Sequence, residues 1–253
     1  IVAVFSWWII PVNILYVSDS LYYVSSAASL AAGEGYRTPI LAGNPSTGMY
    51  PPLQSVYLSI AWRLNPSFPE NQHLIKMLMV VLWTATTAIL FTTMRRGALG
   101  RFYSALVALT VGTSGGWIYF VAHAFSDVLF SFLALALVSL WIKSVGSTRL
   151  MATLAASGVL LALMYLTRIA TFGFLPGVFL AAVCCSWHLK TWKPIVLIAG
   201  PVVSAMTFWS LMPKETFGYG PYATGEIERH GGVVPWLWHA ARLCAVQSID
   251  YLN

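Results

Sequence analysis

The chain has 253 residues, of which 58% are hydrophobic and 9% are charged, and its mean hydropathy is +0.73. Because soluble globular domains carry about 25% charged residues, this composition excludes an ordinary water-soluble fold and predicts an integral membrane protein. Uninterrupted apolar runs such as 129–140 exclude a transmembrane barrel, whose strands alternate apolar and polar residues. The net charge of +6 comes from dispersed basic residues, which indicates loops at an anionic membrane leaflet and no nucleic acid partner.

Seven apolar segments predict an all-α, polytopic membrane protein, since one transmembrane helix takes about 20 apolar residues. In chain order they are Ile1–Val17, His73–Met94, Phe102–Val121, Val128–Ile142, Leu150–Leu166, Ile169–Trp187 and Pro194–Met212. The segment Tyr50–Leu64 is also apolar, but it is shorter and contains Pro51, Pro52 and Arg63. We therefore expect Tyr50–Leu64 to form a helix that lies on the membrane surface.

The basic residues predict which side of the membrane each loop faces. Seven of the fourteen Lys and Arg residues, and no acidic residue, fall in three short loops: Arg95, Arg96, Arg101, Lys143, Arg149, Lys190 and Lys193. By the positive-inside rule these loops are cytoplasmic. We expect a membrane module over 1–212, with a long first outer loop over 18–72. The outer segment 213–253 is expected to lead into a further C-terminal part of a longer protein.

Two acidic residues stand at the outer ends of apolar segments, Asp19 after the first segment and Asp127 before the fourth. A carboxylate at bilayer depth is costly, so an acidic residue at a helix end beside an aqueous cavity indicates a functional site. Asp19 has a second interpretation, because it or a neighbouring serine, Ser18 or Ser20, could cap the helix that follows. A membrane crossing by Tyr50–Leu64 would put the two carboxylates on opposite faces.

Short motifs follow one another along the chain in a definite order. They are Asp19-Ser-Leu-Tyr-Tyr, Ala27-Ala-Ser-Leu-Ala-Ala-Gly33, Gly35-Tyr36-Arg37, Tyr50-Pro51-Pro52-Leu53, Ala124-Phe125-Ser126-Asp127, and Leu166-Thr167-Arg168 before Gly173 and Pro176. In this order they resemble the GT-C superfamily of membrane glycosyltransferases. More narrowly, they are similar to the family 39-type branch, which contains protein O-mannosyltransferases and the aminoarabinose transferase of lipid A. The resemblance covers nearly the whole chain.

The resemblance implies a transfer reaction at the extracytoplasmic face of a prokaryotic plasma membrane. The donor would be a polyprenyl-phosphate sugar, and the acceptor a lipid, a protein or a glycan. Asp19 matches the catalytic base of the family, and Asp127 matches its second acidic position, which orients the acceptor or balances a cation. Because some relatives act without metal, the resemblance leaves a divalent cation open as a cofactor.

Transfer from such a donor needs cationic groups that stabilise the departing phosphate. Arg168 is the first candidate, because a guanidinium binds phosphate oxygens through two hydrogen bonds. Snorkelling of Arg168 to the membrane interface explains the same residue equally well. Weaker candidates for the phosphate are Arg37, Lys214 and Arg229.

Substrate-binding candidates on the outer face are Tyr22, Tyr23, Glu34, Tyr36, Tyr50 and His123. His123 precedes Asp127 by four residues, so the two would share a face of one continuous helix. Otherwise a histidine at a helix end faces water. Potential metal ligands without diagnostic spacing are Glu34, Glu226, Glu228 and His230. An aromatic belt at the membrane interface or a sugar-stacking platform explains Tyr22, Tyr23, Tyr36, Tyr50, Trp236 and Trp238.

Small residues are concentrated in Gly112–Gly116 and Ala152–Gly158. Glycine, alanine and serine let the backbones of membrane helices approach closely. We therefore expect close helix packing at both stretches, and no phosphate-binding loop.

A secondary transporter is the main alternative function. Transporters place ionisable residues near the bilayer midplane and contain inverted repeats with broken helices. Here the acidic residues lie at helix ends, the middle of each span is almost free of charge, and no repeat is visible. A non-catalytic scaffold in a membrane complex is a third, weaker alternative.

Overall fold

The computed structural model describes residues 1–10, 18–97, 99–144 and 149–213, and over these ranges the chain is all-helical. The α-helices of this part of the chain are α1 (Val2–Ile9), α2 (Ser18–Ala32), α3 (Leu53–Leu64), α4 (Gln72–Arg96), α5 (Arg101–Gly112), α6 (Gly115–Ala122), α7 (Ser126–Ser144), α8 (Leu150–Tyr165), α9 (Leu175–Leu189) and α10 (Lys193–Leu211). A 3₁₀ helix over Ile169–Gly173 links α8 to α9. Within the described ranges, the single bridge between Arg37 and Ser46 accounts for all β pairing.

Three of these helices, α4, α7 and α10, are long and apolar enough to cross a membrane. A fourth span results if the bent pair α5 and α6 is counted as one. The apolar helices α8 and α9 have 16 and 15 residues. At a rise of about 1.5 Å per residue they measure about 24 and 22 Å, less than the roughly 30 Å of a bilayer core.

The predicted span Phe102–Val121 is wrong as a single helix. It is divided between α5 and α6, whose axes differ in direction by 51°. Thr113 and Ser114 form the break, and the Thr113 hydroxyl donates to the carbonyl of Leu109. Glycine stands on both sides of the break, at Gly112 and Gly115, and glycine lacks the side chain that would stiffen the helix there.

Two further predicted spans begin or end differently in the structure. The segment predicted as Ile169–Trp187 starts with the 3₁₀ helix, and its α-helix, α9, begins only at Leu175. For the first span, Ile1–Val17, the structure has α1 over Val2–Ile9, while 11–17 lie outside the described residues. The segment 213–253, which was predicted to be on the outer side, also lies outside them from residue 214 onward.

Helix α4 forms the centre of the packing and contacts α1, α5 and α7. Its fully buried Trp83 stacks on Trp117 of α6, with ring centroids 4.7 Å apart, and donates its indole N–H to the carbonyl of Gly112 at 3.0 Å. The hydroxyl groups of Thr86 and Thr87 donate to carbonyls four residues earlier. These two threonine side chains therefore satisfy their hydrogen bonds within the apolar helix.

Close packing at Gly158 joins α8 to α10. A Cβ atom at this glycine would lie 2.2 Å from the backbone oxygen of Leu197, so the two helices touch through their backbones. The expected packing role of Ala152–Gly158 is confirmed at this position. At Gly112, a Cβ atom would lie 2.7 Å from side-chain atoms of Thr87 and Val2, which agrees with the same expectation for the other stretch.

The segment 18–72, which was predicted to be the first outer loop, folds into a helical layer in which α2 packs along α3. Helix α3 has 12 residues, or about 18 Å, and it is not among the helices long enough to span a membrane. The start of α3 is bonded to the end of α8, because the Leu53 N–H donates to the Leu166 carbonyl at 2.9 Å. The beginnings of α2, α3 and α7 and the end of α8 consequently meet in one region.

Candidate functional site

Asp19 lies in the first turn of α2 and is bound by a tyrosine that lies shortly before α3. The Tyr50 hydroxyl donates to Asp19 Oδ1 at 2.7 Å, across 31 positions of sequence. Because α2 begins at Ser18, both Asp19 and Ser20 are inside the helix, and neither is its N-cap. The amino end of a helix carries a partial positive charge, which also favours a carboxylate at this place.

The Tyr50 ring connects this carboxylate to α7. It lies 5.6 Å from the Tyr22 ring and 5.1 Å from the Tyr23 ring, measured between centroids. The Tyr23 hydroxyl in turn shares a hydrogen bond of 3.0 Å with the Ser126 hydroxyl, at the first residue of α7. Tyr23, Tyr50 and Ser126 are all buried, so these contacts fix the beginnings of α2 and α7 against each other.

Asp127 follows Ser126 in the first turn of α7 and forms an ion pair with Arg168, which lies between α8 and the 3₁₀ helix. The two side chains are 31% and 37% exposed, so both remain accessible to solvent. We use the name carboxylate network for the connected residues Asp19, Tyr50, Tyr23, Ser126, Asp127 and Arg168. The structure thus brings together both predicted catalytic acids and the first candidate for the donor phosphate.

Tyr36 contacts the network through the backbone of Tyr50. Its hydroxyl donates to the Tyr50 carbonyl at 2.9 Å, and its ring meets the Trp209 ring of α10 edge-on at 6.2 Å. Burial raises the pKa of Tyr36 above its ordinary value, so the hydroxyl stays protonated and remains a donor. Of the predicted substrate-binding residues, Tyr36 therefore has a structural contact that accounts for its burial.

Glu34 and Arg37 lie apart from the network, in the turn that follows α2. The Glu34 carboxylate accepts from Ser29 and Asn44 at 3.5 Å, and the Arg37 guanidinium donates to the Asn44 carbonyl at 2.9 Å. Ser29 is ten residues beyond Asp19, which corresponds to about 15 Å along the helix. Both side chains have contacts within their own turn.

His123 neither shares a helix face with Asp127 nor faces water. Helix α6 ends at Ala122, Ala124 has a left-handed backbone with φ of 52°, and α7 begins only at Ser126. The imidazole is buried, its Nδ1 lies 2.8 Å from the Tyr119 carbonyl, and its ring stacks on Phe125. The expectation that His123 shares a helix face with Asp127 is wrong, because the chain turns sharply between α6 and α7. The alternative expectation, that His123 faces water, is also wrong, because the side chain is buried.

Sequence reasoning missed Gln54 and Ser126. Gln54 is fully buried at the start of α3, and its Nε2 donates to the Ala124 carbonyl at 2.9 Å, in the turn between α6 and α7. A glutamine within an apolar helix is a signal that the sequence does contain. The pairing of Ser126 with Tyr23 spans 103 positions and depends on the tertiary fold alone.

Several other candidates fall outside the described residues, namely Lys214, Arg229, Glu226, Glu228, His230, Trp236 and Trp238. Within the part of the chain that the structure describes, no three His, Cys, Asp or Glu side chains lie close enough to hold a metal ion.

A scan against protein-family models, a search of curated proteins and a search of solved structures each found no match to this chain. The part of the chain that the structure describes contains a set of apolar helices, three or four of which are long and apolar enough to cross a membrane. It also contains a polar network at the place where four helix ends meet.

Proposed function

We propose that the chain is part of a membrane glycosyltransferase with a GT-C-like arrangement of about seven transmembrane helices. It would move a sugar from a polyprenyl-phosphate donor to a lipid, protein or glycan acceptor at the extracytoplasmic face. The observation that carries the proposal is the carboxylate network, in which two helix-end acids and an arginine from distant parts of the chain are connected. The apolar helices next to it favour a lipid-borne substrate.

In the proposed reaction, Asp19 accepts the proton from the acceptor hydroxyl. The acceptor oxygen forms a bond to the anomeric carbon of the sugar, and the bond from that carbon to the phosphate oxygen breaks. The electron pair of the broken bond leaves with the polyprenyl phosphate. Tyr50 holds the Asp19 carboxylate in one orientation, which general-base catalysis requires.

Arg168 is the proposed phosphate ligand. A guanidinium has five N–H donors, and the ion pair with Asp127 leaves donors of Arg168 free for phosphate oxygens. The pair also restrains the arginine, so that less side-chain freedom is lost when phosphate binds. Asp127 would thus act as a positioning residue for Arg168 and as a second acid near the acceptor.

The substitution Asp19→Asn tests the proposal in the full-length protein. It keeps the shape of the side chain and removes its basicity, so transfer of sugar from a polyprenyl-phosphate donor should fall by at least 100-fold, the low end of general-base contributions. Glu70→Gln is the control, because Glu70 is an exposed acid of the same outer segment outside the network. Full transfer activity in a folded, membrane-inserted Asp19→Asn protein would show that Asp19 is not the base.

A secondary transporter remains the second candidate, because the bend of 51° between α5 and α6 is a broken membrane helix of the kind that transporters use. Proteoliposomes that contain the purified protein separate the two functions. Substrate flux without any sugar transfer would favour the transporter, and transfer without flux would favour the enzyme.

A further inference from the structure

The cleft between α9 and α10 contains two cavities that differ in character. One cavity of about 290 Å³ lies where α9 ends and α10 begins, and Ser186, Lys190, Thr191 and Trp192 contribute to its lining. The other, of about 340 Å³, lies further along the same two helices and is lined only by apolar residues and proline, among them Phe179 and Val203. We name them the basic cavity and the apolar cavity.

The basic cavity has the groups that bind a phosphate. The Ser186 hydroxyl oxygen is buried and has no hydrogen-bond partner in the described part of the chain. A buried hydroxyl without a partner is costly, and an added ligand would remove that cost. Lys190 supplies a cation beside it, and the sequence has no acidic residue between Asp127 and Glu215 that could neutralise this segment.

The backbone at Lys190 supports the same interpretation. Lys190 is the residue after α9 and has a left-handed conformation with φ of 52°. Glycine or asparagine is the usual residue at such a helix end, because a Cβ atom is strained there. A lysine at this position therefore strains the backbone. Strain of this kind indicates a functional role for the residue, and here that role is to place a positive charge beside the cavity.

The surroundings indicate which molecule supplies the phosphate. Trp187 and Trp192 beside the cavity are 85% and 74% exposed, and exposed tryptophans at helix ends lie at the headgroup level of a membrane. From Ile195 at the basic cavity to Val203 at the apolar cavity is about 12 Å along α10. One cleft thus offers a place for a phosphate and, further along the same helices, a place for an acyl chain.

We propose that the α9–α10 cleft binds one anionic phospholipid, with its phosphate at Lys190 and Ser186 and an acyl chain in the apolar cavity. Arg168 of the carboxylate network precedes the first residue of α9, whereas Lys190 follows its last residue. The helix between them has 15 residues and is about 22 Å long. The lipid site is therefore distinct from the proposed catalytic site, and it does not depend on the proposed function.

Native mass spectrometry of the full-length protein tests the proposal, in detergent with equal amounts of phosphatidylglycerol and phosphatidylcholine. The protein should retain one phosphatidylglycerol in preference to phosphatidylcholine. Lys190→Gly should lower this retention by about tenfold, as expected for the loss of one charge-assisted contact, and its melting temperature should not fall, because glycine relieves the left-handed backbone. Ser186→Ala should also lower retention.

Lys143→Gln is the matched control, because Lys143 is another lysine at the end of an apolar helix and lines neither cavity. Equal losses for Lys190→Gly and Lys143→Gln would overturn the proposal in favour of a general charge effect. Ala199→Leu, which fills the apolar cavity, should reduce lipid retention as well. If Ala199→Leu retained the lipid unchanged and millimolar inorganic phosphate displaced it, the cleft would bind phosphate alone. This result would also overturn the lipid proposal.

Discussion

At the level of single residues, Tyr50 makes several of the contacts that hold the network together. Its hydroxyl binds Asp19, its ring contacts Tyr22 and Tyr23, and its carbonyl accepts the Tyr36 hydroxyl. The prolines that follow it, Pro51 and Pro52, restrict the backbone before α3 and help to hold Tyr50 in place. A tyrosine so constrained can orient a carboxylate without further loss of side-chain entropy.

The substitution Tyr50→Phe keeps the ring and removes the bond to Asp19. If Tyr50 positions the base, kcat for sugar transfer should fall by about tenfold, which corresponds to about 1.4 kcal/mol in activation free energy, while KM for the donor stays unchanged. Steady-state kinetics of the purified protein measure both quantities.

Tyr57→Phe is the matched control for this experiment. The Tyr57 hydroxyl also makes a bond of 2.7 Å, to the Leu78 carbonyl, and burial raises the pKa of Tyr57 to about 12, so it too remains a donor in any assay near neutral pH. Both variants should lose a similar amount of stability, about 1 kcal/mol. An equal loss of kcat in both variants would mean that Tyr50 acts through stability alone.

At the level of elements, the agreement between sequence and structure depends on whether an apolar run is interrupted. Helices α4, α7 and α10 begin and end within a few residues of the predicted spans, because their long apolar runs leave no competing arrangement. Thr113 and Ser114 gave no clear signal for a break, since single small polar residues also occur in straight membrane helices. The 3₁₀ helix over Ile169–Gly173 likewise has an apolar composition that suits an α-helix.

The backbone contact at Gly158 yields a stability test. Gly158→Ala places a methyl group against the Leu197 oxygen, so α8 and α10 must separate, and overpacking of this kind costs about 1–3 kcal/mol. Gly177→Ala is the control, because a Cβ atom at Gly177 of α9 meets nothing within 4 Å and alanine is the better helix former. Thermal unfolding in detergent should show a lower Tm for Gly158→Ala only, and equal Tm values would contradict the contact.

Most members of the candidate site were predictable from the sequence, with Ser126 as an exception, but the contacts between the members were not. Asp19 and Asp127 stand out in the sequence because acids are rare in this chain, and the Tyr-Pro-Pro-Leu motif marks the start of α3. The pairing of Arg168 with Asp127, and of Tyr23 with Ser126, follows only from the way α2, α7 and the end of α8 meet in the fold. Periodicity along one helix contains no information about such contacts.

At the level of the whole molecule, the proposed reaction requires that one end of the helix assembly faces the cell exterior. The carboxylate network lies at that end, and the basic residues Lys190 and Lys193 lie near the other end of α9. Charge bias predicts the same orientation, because short loops rich in Lys and Arg generally face the cytoplasm in membrane proteins. A shared active site is possible only if Asp19 and Asp127 face the same compartment.

Cysteine labelling of intact cells measures this arrangement directly. In a background without Cys184, Cys185 and Cys244, single cysteines replace three exposed residues: Leu21, two residues after Asp19; Phe172, four residues after Arg168; and Leu189 at the end of α9. A membrane-impermeant thiol reagent should label Leu21→Cys and Phe172→Cys in intact cells, and Leu189→Cys only after permeabilisation. Labelling of Leu21→Cys and Phe172→Cys from opposite sides would contradict the shared site and, with it, the proposed reaction.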